Sequence, residues 1–395
     1  MRATSYISKE VPQKELRICF CVFPFATQST RVHALGVVNI LQEFASILYV
    51  ITPRMPEDFA YDQQVVIKNL AVNLHPRESI RPIFLSVLFW VLKYLAIQIE
   101  MCYHLTKAYK KVDIVIFYEG SHYLLPAILA KFFRKKVVKY SPALPRTRLG
   151  SKRSLDYWAT NMSRKIEETV LCLSDSIITA IEDHTHQTGQ AKHGGKISVA
   201  MYTYMGSPFM EKNDWRQRDN IVGYVGRLIE VRGVRQLARA IPLIFQRRKD
   251  VRFMIVGDGV LMDEIKKYSM EMGYAERVEF IGWVPNEKIP DYLNKMRFHI
   301  SPAFEDFPGT VNLEAMACGT IAIANAVDGV RDIIADNETG FLLKDNEPQT
   351  IADRLIEVLD HPGLEEIRQK AKSFVKQNFS RQRVLNDWQR ILSEL

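Results

Sequence analysis

The sequence predicts two α/β domains, each built on a parallel, doubly wound sheet. Three observations support this fold class. Short apolar runs alternate with helical patterns along most of the chain, beginning with ELRICFCVFPF, VHALGVVNILQEF and SILYVIT. The alternation stops at a polar, turn-rich stretch over residues 201–220 and then starts again. The length of 395 residues is sufficient for two domains with full-sized cores.

Each predicted domain repeats the order strand, helix, strand. Further strands of the first domain are predicted at VDIVIFYEG, KKVVKYS and SDSIITAI, with helices at LLPAILAKFF and residues 164–173. Strands of the second are predicted at NIVGYVGRL, VRFMIVGDG, VEFIGWV, FHISPAF, TIAIANA and GFLLK. Its helices are predicted at VRGVRQLARAIPLIFQ, LMDEIKKYSMEM, NLEAMACG and IADRLIEVLD. Ligands of such sheets bind beyond the carboxyl ends of the strands.

The predicted domain boundaries follow from this alternation. We assign residues 1–205 to the first domain, 206–218 to a linker and 219–375 to the second domain. Residues 376–395 form a last amphipathic helix that is expected to cross back onto the first domain.

Composition and charge restrict the class of protein. Hydrophobic residues make up 47% of the chain and charged residues 25%, values that exclude a disordered or low-complexity protein. Residues 1–213 carry 27 Lys and Arg against 17 Asp and Glu, whereas residues 214–395 carry 26 against 28. The first half is therefore predicted to face an anionic partner. The chain contains no RRM, KH, helix-turn-helix or zinc signature, which disfavours nucleic acid as that partner.

The cysteines and histidines indicate neither disulfides nor a metal. The 5 cysteines form no CxxC pair, and their odd number favours reduced thiols in the cytoplasm. Cys19 and Cys21 alternate along the first strand, so both are expected in the core. His184 and His186 form an HxH pattern, for which a polar surface loop is preferred over a metal site.

One predicted helical segment is apolar enough that association with a membrane has to be considered. Residues 83–99 are apolar and interrupted only by Lys93 and Gln98. Ser86, Lys93, Glu100 and Lys107 recur every seven residues, which places a thin polar stripe on the helix. Two interpretations stay open: a buried helix of a large domain, or a helix that dips into a bilayer surface. A true transmembrane span is disfavoured. The segment is followed by a cluster of basic residues, namely Lys131, Arg134, Lys135, Lys136, Lys139, Arg146, Arg148, Lys152 and Arg153.

The second half contains two patterns suited to binding an anion, although neither GxGxxG nor a P-loop occurs. In GYVGRLIEVRGV, Arg227 and Arg232 lie between a strand and the next helix, where backbone amides and guanidinium groups suit a diphosphate. In SPAFEDFPGTVNLEAMACGT a strand ends near Ser301 and a helix begins near Thr310. The amides around Gly309 would point at an anion, and nearby carboxylates would accept hydrogen bonds from sugar hydroxyls.

These stretches carry a family resemblance. YVGRLIEVRGVRQLARA, FMIVGDGVLMDEI, VEFIGWVPNEKIPDYL, ISPAFEDFPGTVNLEAMACGTIAIA and GVRDIIADNETGFLL follow one another over residues 220–343. In order and spacing they resemble family 4 retaining glycosyltransferases of the GT-B fold, the glycosyl transferases group 1. The resemblance implies two Rossmann-like domains facing each other across a cleft, with the acceptor bound by the first and a nucleotide sugar by the second.

The resemblance also implies roles for residues of the second domain. Arg227 matches the basic residue that contacts the donor diphosphate, and Arg232 stands where the family usually has Lys. Gly309 and Thr310 would offer their amides to the same diphosphate. Three further positions match the nucleoside-binding part of the family: Glu314 for the ribose, and Gly282 and Val284 for the base.

The reacting centre is less regular. The first acid of the family's E-x7-E pair is expected eight residues before Glu314, where Asp306 stands, with Glu305 one residue earlier. Both are candidates for the catalytic acid, and Glu305 is preferred because one extra residue in the loop explains the spacing. His122, just past a strand end in the first domain, matches the family's active-site histidine.

The resulting functional expectation is a metal-independent, retaining glycosyltransferase of hexosyltransferase type (EC 2.4). It would use a UDP- or GDP-linked sugar, no cofactor and no metal, and a lipid-linked glycan or glycolipid acceptor in cell-surface polysaccharide biosynthesis. The protein is expected in the cytoplasm, peripheral on an anionic membrane surface. Two alternatives stay open: a soluble glycosyltransferase with a small acceptor, and a non-catalytic GT-B subunit of a glycosyltransferase complex.

Overall fold

The computed structural model describes residues 16–23, 28–53, 62–71, 83–119, 123–141, 155–180, 190–304, 309–327 and 329–395. The chain divides into two compact units. The first consists of Met1–Ile178, His193–Tyr202 and Leu385–Leu395, and the second of Thr179–Lys192 and Thr203–Val384.

The first unit is built on a seven-stranded sheet. Its strands are β1 (Leu16–Val22), β2 (Ala45–Thr52), β3 (Val65–Asn69), β4 (Ile114–Tyr118), β5 (Lys136–Tyr140), β6 (Ser176–Thr179) and β7 (Ile197–Val199). They are arranged in the order β3-β2-β1-β4-β5-β6-β7, and the pairs from β3 to β6 are parallel. The order reverses between β1 and β4. Cys19 and Cys21 are free and buried in β1, as predicted, with their sulfur atoms 3.8 Å apart.

Helices cover both faces of this sheet. They are α1 (Gln28–Leu41), α2 (Ile83–Ala108), α3 (Leu124–Phe132) and α4 (Leu155–Leu173). Helices α2, α3 and α4 pack side by side, and buried side chains of α2 and α3 join one core with Cys19, Cys21 and Phe117. On the sheet side these helices are therefore mainly apolar, as a parallel sheet requires, with Gln98 and the partly buried Glu167 as polar exceptions.

The second unit repeats the plan with six strands. They are β8 (Ile221–Val225), β9 (Arg252–Val256), β10 (Val278–Gly282), β11 (Phe298–Ser301), β12 (Ile321–Asn325) and β13 (Phe341–Leu343). Every pair in the order β10-β9-β8-β11-β12-β13 is parallel. This is the strand order of a Rossmann fold, with its reversal between β8 and β11. Both units thus confirm the predicted class of doubly wound sheets.

The helices of the second unit follow the predicted alternation. They are α5 (Val234–Arg247), α6 (Met262–Glu271), α7 (Ile289–Leu293), α8 (Thr310–Ala317), α9 (Val330–Ile333), α10 (Pro348–Leu359) and α11 (Leu364–Asn378). The last helix, α12 (Arg381–Ser393), belongs to the first unit from Leu385 onward. The apolar faces of α5, α10 and α11 join β8, β9 and β11 in one core. Pro348 begins α10 at a position where the missing amide costs no helical hydrogen bond.

Two segments differ from a simple division into domains and linker. Residues 206–218, predicted as a linker, lie in the second unit. There Trp215 is buried and its indole donates to the Arg297 carbonyl at 3.1 Å. Arg218 is also buried and donates to the carbonyls of Met296 and Cys318 at 3.0 and 2.8 Å. The side chains of this polar segment thus donate hydrogen bonds to backbone carbonyls of the second unit.

The chain ends in the first unit. Leu385–Leu395 belongs to that unit, and its Trp388 is completely buried. The indole donates to the Met201 carbonyl at 2.7 Å, and the ring lies 5.0 Å from that of Tyr140. Burial of a whole tryptophan with a satisfied N–H makes this contact a large contribution to the unit.

Lys139 corrects part of the predicted basic surface. Its side chain is completely buried in β5, with its ammonium 5.1 Å from the centre of the Tyr123 ring. Burial lowers the pKa of Lys139 to about 8, and the nearby carboxylates of Glu167 and Glu119 partly oppose this shift. Lys131 forms an ion pair with Asp175 at 2.7 Å. Arg146, Arg148, Lys152 and Arg153 lie outside the described residues.

Candidate functional site

The strand order of the second sheet reverses between β8 and β11, which is where doubly wound sheets bind their ligands. Strands β8 and β11 are neighbours, and the chain leaves them in opposite directions along the sheet. The two loops that follow them are tied together: the Phe304 amide donates to the Val231 carbonyl at 3.0 Å. Gly233 lies so close to this junction that a Cβ there would stand 1.8 Å from the Pro302 oxygen. The two loops predicted to bind the anion therefore meet at one edge.

Glycines also lock the loops after β8, β9 and β10 to one another. The Gly226 amide donates to the Val256 carbonyl at 3.0 Å, and the Gly257 amide donates to the Gly282 carbonyl at 2.8 Å. A Cβ on Gly257 would lie 1.9 Å from the Gly226 oxygen, and its φ of 131° is in the region that favours glycine. Sequence reasoning quoted Gly257 within a motif without giving it a role. Its role is to let two strand ends approach closely.

Arg227 is the exposed cation at this edge. It directly follows β8, and its carbonyl accepts a hydrogen bond from the Tyr224 hydroxyl at 2.8 Å. Within the described ranges its guanidinium forms no ion pair. Arg235, further along, is instead held by Glu230 and by Glu264, the latter at 2.7 Å. Of these two arginines, Arg227 has the charge available for a ligand.

Arg232 lies on the same loop, at the end of the helical turn Glu230–Arg232, and is half-buried. The next residue, Gly233, has a φ of 66° and immediately precedes α5. The loop between β8 and α5 thus carries both of the arginines to which the family resemblance gives a diphosphate role.

Helix α8 begins where the sequence predicts, at Thr310. Gly309 precedes it with a φ of 70°, a conformation that favours glycine. The first amide bonded inside this turn is that of Asn312, which donates to the Gly309 carbonyl at 2.9 Å. The amides of Thr310 and Val311 come before it, so the positive end of the helix faces the loop that follows β11.

Glu314 lies one turn into α8 and is half-buried. Desolvation of its carboxyl group raises the pKa of Glu314 to about 8. In the described part of the chain no Lys or Arg forms an ion pair with it. Such a carboxyl group is costly to ionise without a ligand, and hydroxyl donors from a ligand would lower that cost.

The predicted base-binding positions lie at the end of β10. Gly282 has a φ of 81°, while a Cβ there would meet nothing within 4 Å, so conformation alone explains the glycine. Val284 packs against the second core of this unit with Val225 and Met254. Between them Trp283 is largely exposed, a feature that sequence reasoning did not single out.

Beneath this edge, His299 is a buried titratable group that sequence reasoning also missed. It lies in β11, opposite Gly223 of β8. Burial lowers the pKa of His299 to about 4, an effect that the neighbouring Asn312 side chain partly opposes. The imidazole is therefore neutral at physiological pH. In the sequence, one histidine within an apolar strand does not indicate a functional site.

The predicted residues of the reacting centre have no described geometry. His122, Glu305 and Asp306 lie outside the described residues, as do His184 and His186. Among the residues that the structure describes, no group of His, Cys, Asp and Glu could hold a metal ion.

The corresponding edge of the first unit contains a buried hydrogen-bond junction. Tyr123 accepts from the Phe23 amide at 2.8 Å and donates to the Tyr118 carbonyl at 2.5 Å, joining the ends of β1 and β4. Next to it, Glu119 has a φ of 47°. Burial raises the pKa of Glu119, and Lys139 partly offsets this. Neither Tyr123 nor Glu119 was predicted as a site residue.

Comparison with known proteins follows the same division. Residues 207–378 match the model of the family described as glycosyl transferases group 1. The alpha-D-kanosaminyltransferase of Streptomyces kanamyceticus is 31% identical over 146 residues, which are 37% of this chain and 38% of that protein. The phosphatidylinositol N-acetylglucosaminyltransferase gpi3 subunit of Schizosaccharomyces pombe is 28% identical over 139 residues, 35% of this chain and 30% of that one. The chain thus spans less than half the length of these two relatives.

Similarity of fold extends much further. The crystal structure of Anabaena Alr3699/HepE in complex with UDP matches with a TM-score of 0.70 at 17% identity, covering 96% of this chain and 100% of that one. Sequence similarity is thus concentrated in the second unit, whereas the architecture is shared by almost the whole chain. The chain therefore has the GT-B fold, and its residues 207–378 are similar to the glycosyl transferases group 1.

Proposed function

We propose that this protein is a retaining, metal-independent glycosyltransferase of the family 4 type. It moves a sugar from a nucleoside-diphosphate sugar to a hydroxyl group of a lipid-linked glycan or glycolipid in cell-surface glycan assembly. The observation that carries the proposal is the edge at β8 and β11, where the segments that follow these two neighbouring strands carry an available guanidinium, a helix N-terminus and a desolvated carboxyl group.

The diphosphate of the donor fits the basic side of this edge. Arg227 and Arg232 offer guanidinium groups, which bind phosphate oxygens through paired hydrogen bonds. The amides of Gly309 and Thr310 add donors at the positive end of α8. When the bond between the sugar and the diphosphate breaks, negative charge grows on the leaving group, and each well-placed donor there is worth about 3–4 kcal/mol. In this proposal the protein's own cations supply the charge for which other transferases use a metal.

The nucleoside fits the other side. Glu314 accepts hydrogen bonds from ribose hydroxyls once it is ionised, and Gly282 and Val284 line the base through the backbone after β10. The structure of HepE in complex with UDP supports a nucleoside diphosphate as ligand of this fold. Retention, the acid role of Glu305 or Asp306 and the placing of His122 near the sugar rest on the family resemblance.

The acceptor is proposed to be lipid-linked, with the protein peripheral on the cytoplasmic face of a membrane. The excess of basic residues in the first half supports an anionic surface as partner. The relation to a phosphatidylinositol N-acetylglucosaminyltransferase subunit supports a lipid acceptor, and it equally favours the alternative of a subunit in a glycosyltransferase complex. No helix among the described residues is long and apolar enough to span a bilayer.

Thermal stability against nucleotides tests the donor site. The purified protein is melted with UDP, GDP, ADP, dTDP or CMP, with Mg²⁺ or with EDTA. We expect one nucleoside diphosphate to raise the melting temperature equally in both conditions, since a ligand at 100 times its Kd stabilises by about 2.7 kcal/mol. A shift that requires Mg²⁺ would contradict metal independence. No shift with any nucleotide would favour the non-catalytic subunit.

Transfer itself is tested with the matching nucleotide sugar. A lipid extract and a panel of small soluble acceptors are incubated separately with the enzyme, and the anomeric configuration of the product is read by NMR. Product from lipid with retained configuration supports the proposal. Product from a small acceptor alone would establish the soluble alternative, and inverted configuration would exclude a retaining enzyme.

A further inference from the structure

Helices α2 and α3 present matching apolar stripes to solvent. On α2 the exposed side chains Leu92, Leu95, Ile99 and Tyr103 recur every three or four residues, so they lie on one face. On α3, Leu125, Ile128 and Phe132 recur in the same way. Exposed single hydrophobic residues are normal, whereas two aligned stripes need a reason. We call these seven residues the α2–α3 stripe.

The stripe is continuous because the two helices run side by side in one direction. Near its start, the Leu125 amide of α3 donates to the Gln98 side chain of α2 at 3.0 Å. Near its end, the Phe133 ring stacks on Tyr109, just after α2, with ring centres 4.3 Å apart. The opposite faces of both helices are buried on the sheet, through Met101 and Ala127 among others. Both stripes must therefore point away from the sheet, on the same side.

At one end of the stripe lie basic side chains that form no ion pair within the described ranges. Six basic residues lie in the last turn of α2 or just after the ends of α2 and α3, namely Lys107, Lys110, Lys111, Arg134, Lys135 and Lys136. None of them forms an ion pair in the described ranges. The acids beside them are already engaged: Asp113 holds Arg17 and Asp175 holds Lys131, each at 2.7 Å. The stripe is thus apolar in the middle and cationic at its end.

We propose that the α2–α3 stripe is a membrane-docking surface whose partner is an anionic lipid leaflet. Leu, Ile and Phe side chains enter the boundary between headgroups and acyl chains, and the six cations bind anionic headgroups. A second copy of this chain fits less well, since a symmetric contact would bring like charges together. The surface serves the proposed function by placing the protein beside lipid-linked acceptors, and its binding is measurable without any transfer reaction.

The described part of α2 has features of both interpretations of residues 83–99. Residues of α2 such as Ile97 and Met101 are completely buried, whereas Ile99 is 63% exposed and the stripe continues onto α3. Of the predicted basic cluster, Arg134, Lys135 and Lys136 belong to this surface. Lys131 is instead paired with Asp175, and Lys139 is buried. The docking surface combines α2, which the sequence already indicated as a candidate for membrane contact, with α3, which it did not indicate.

Vesicle co-sedimentation of the full-length protein tests the proposal. Phosphatidylcholine vesicles are compared with vesicles that also contain phosphatidylglycerol. The variant Ile128→Asp/Phe132→Asp removes the apolar end of α3, and Met270→Asp is the matched control. Met270 is 69% exposed and Phe132 78%, so each change stays at the surface, but Met270 lies on α6 of the other unit. We expect the double variant to lose at least about tenfold in binding to anionic vesicles and the control to bind like wild type.

A charge variant and a depth measurement complete the test. Lys110→Gln/Arg134→Gln/Lys136→Gln is expected to lose about fivefold in affinity per charge for anionic vesicles only. Phe132→Trp is expected to be quenched by brominated lipid, and Met270→Trp is not. The proposal is overturned if wild type does not bind anionic vesicles, if the double variant binds like wild type, or if that variant instead dissociates a dimer in sedimentation velocity.

The outcomes separate this inference from the proposed function. Nucleotide-induced thermal shifts should be the same in wild type and the double variant, because both substitutions lie in the first unit. If the protein binds vesicles but no nucleotide raises its melting temperature, the docking surface is supported and the proposed donor site is wrong. If a nucleotide raises the melting temperature but the protein does not bind vesicles, the donor site is supported and the docking surface is wrong.

Discussion

The desolvated carboxyl group of Glu314 makes donor binding depend on pH. With a pKa of about 8 in the free protein, only about 1% of Glu314 is ionised at pH 6 and about half at pH 8. If the ionised form binds the ribose, the protein must lose this proton on binding. Affinity for a nucleotide sugar should then rise by about fiftyfold between pH 6 and pH 8.

Isothermal titration calorimetry over this range measures the effect. A nucleotide sugar is the right ligand because its diphosphate diester does not titrate there, unlike a free nucleoside diphosphate. The Glu314→Gln variant keeps the shape and the acceptor oxygen but cannot ionise, so its affinity should not change with pH. A wild-type affinity that is the same at pH 6 and pH 8 would refute the reasoning, as would a pH dependence that survives in the Gln variant.

Three further predictions concern the same unit. Arg227→Gln should weaken nucleotide-sugar binding by about tenfold or more in the same calorimetry, because it removes a charged hydrogen bond, while Arg252→Gln at the opposite, amino edge of the sheet should not. Gly257→Ala should lower the melting temperature more than Gly273→Ala, since both have positive φ but only the first would clash, at 1.9 Å; equal losses would show that strain alone matters. His299→Val should reduce the loss of stability that occurs when the pH is lowered. The unfolded chain takes up this proton near pH 6.5 and the folded protein only near 4, so wild type loses about 2 kcal/mol between pH 7 and pH 5 that the variant should keep in urea unfolding.

Much of the fold was readable because burial on both faces of a parallel sheet imposes a simple pattern. Apolar runs such as VRFMIVGDG form strands, and a helix start was predicted near Thr310, where α8 begins. The segment 206–218 was read as a linker because it is polar and turn-rich. Composition does not show where a polar side chain is satisfied, and Arg218 is buried among carbonyls that lie far away in sequence.

The candidate site shows the same limit. Arg227 and Glu314 were predicted from motifs, whereas the need for glycine at Gly257 depends on its distance from another strand end. Lys139 looked like one of many surface cations, and only the packing of α3 and α4 over β5 removes it from solvent. A local pattern cannot report a contact between distant segments.

By itself the sequence determined the class of sheet, the order of its elements and the family motifs, because these depend on residue type and spacing along the chain. The tertiary structure decided which charges are available and which apolar faces are covered. Arg227 is available while Arg235 is held by Glu264, and α2 and α3 join their exposed stripes, because burial and pairing depend on segments that meet only in the folded protein.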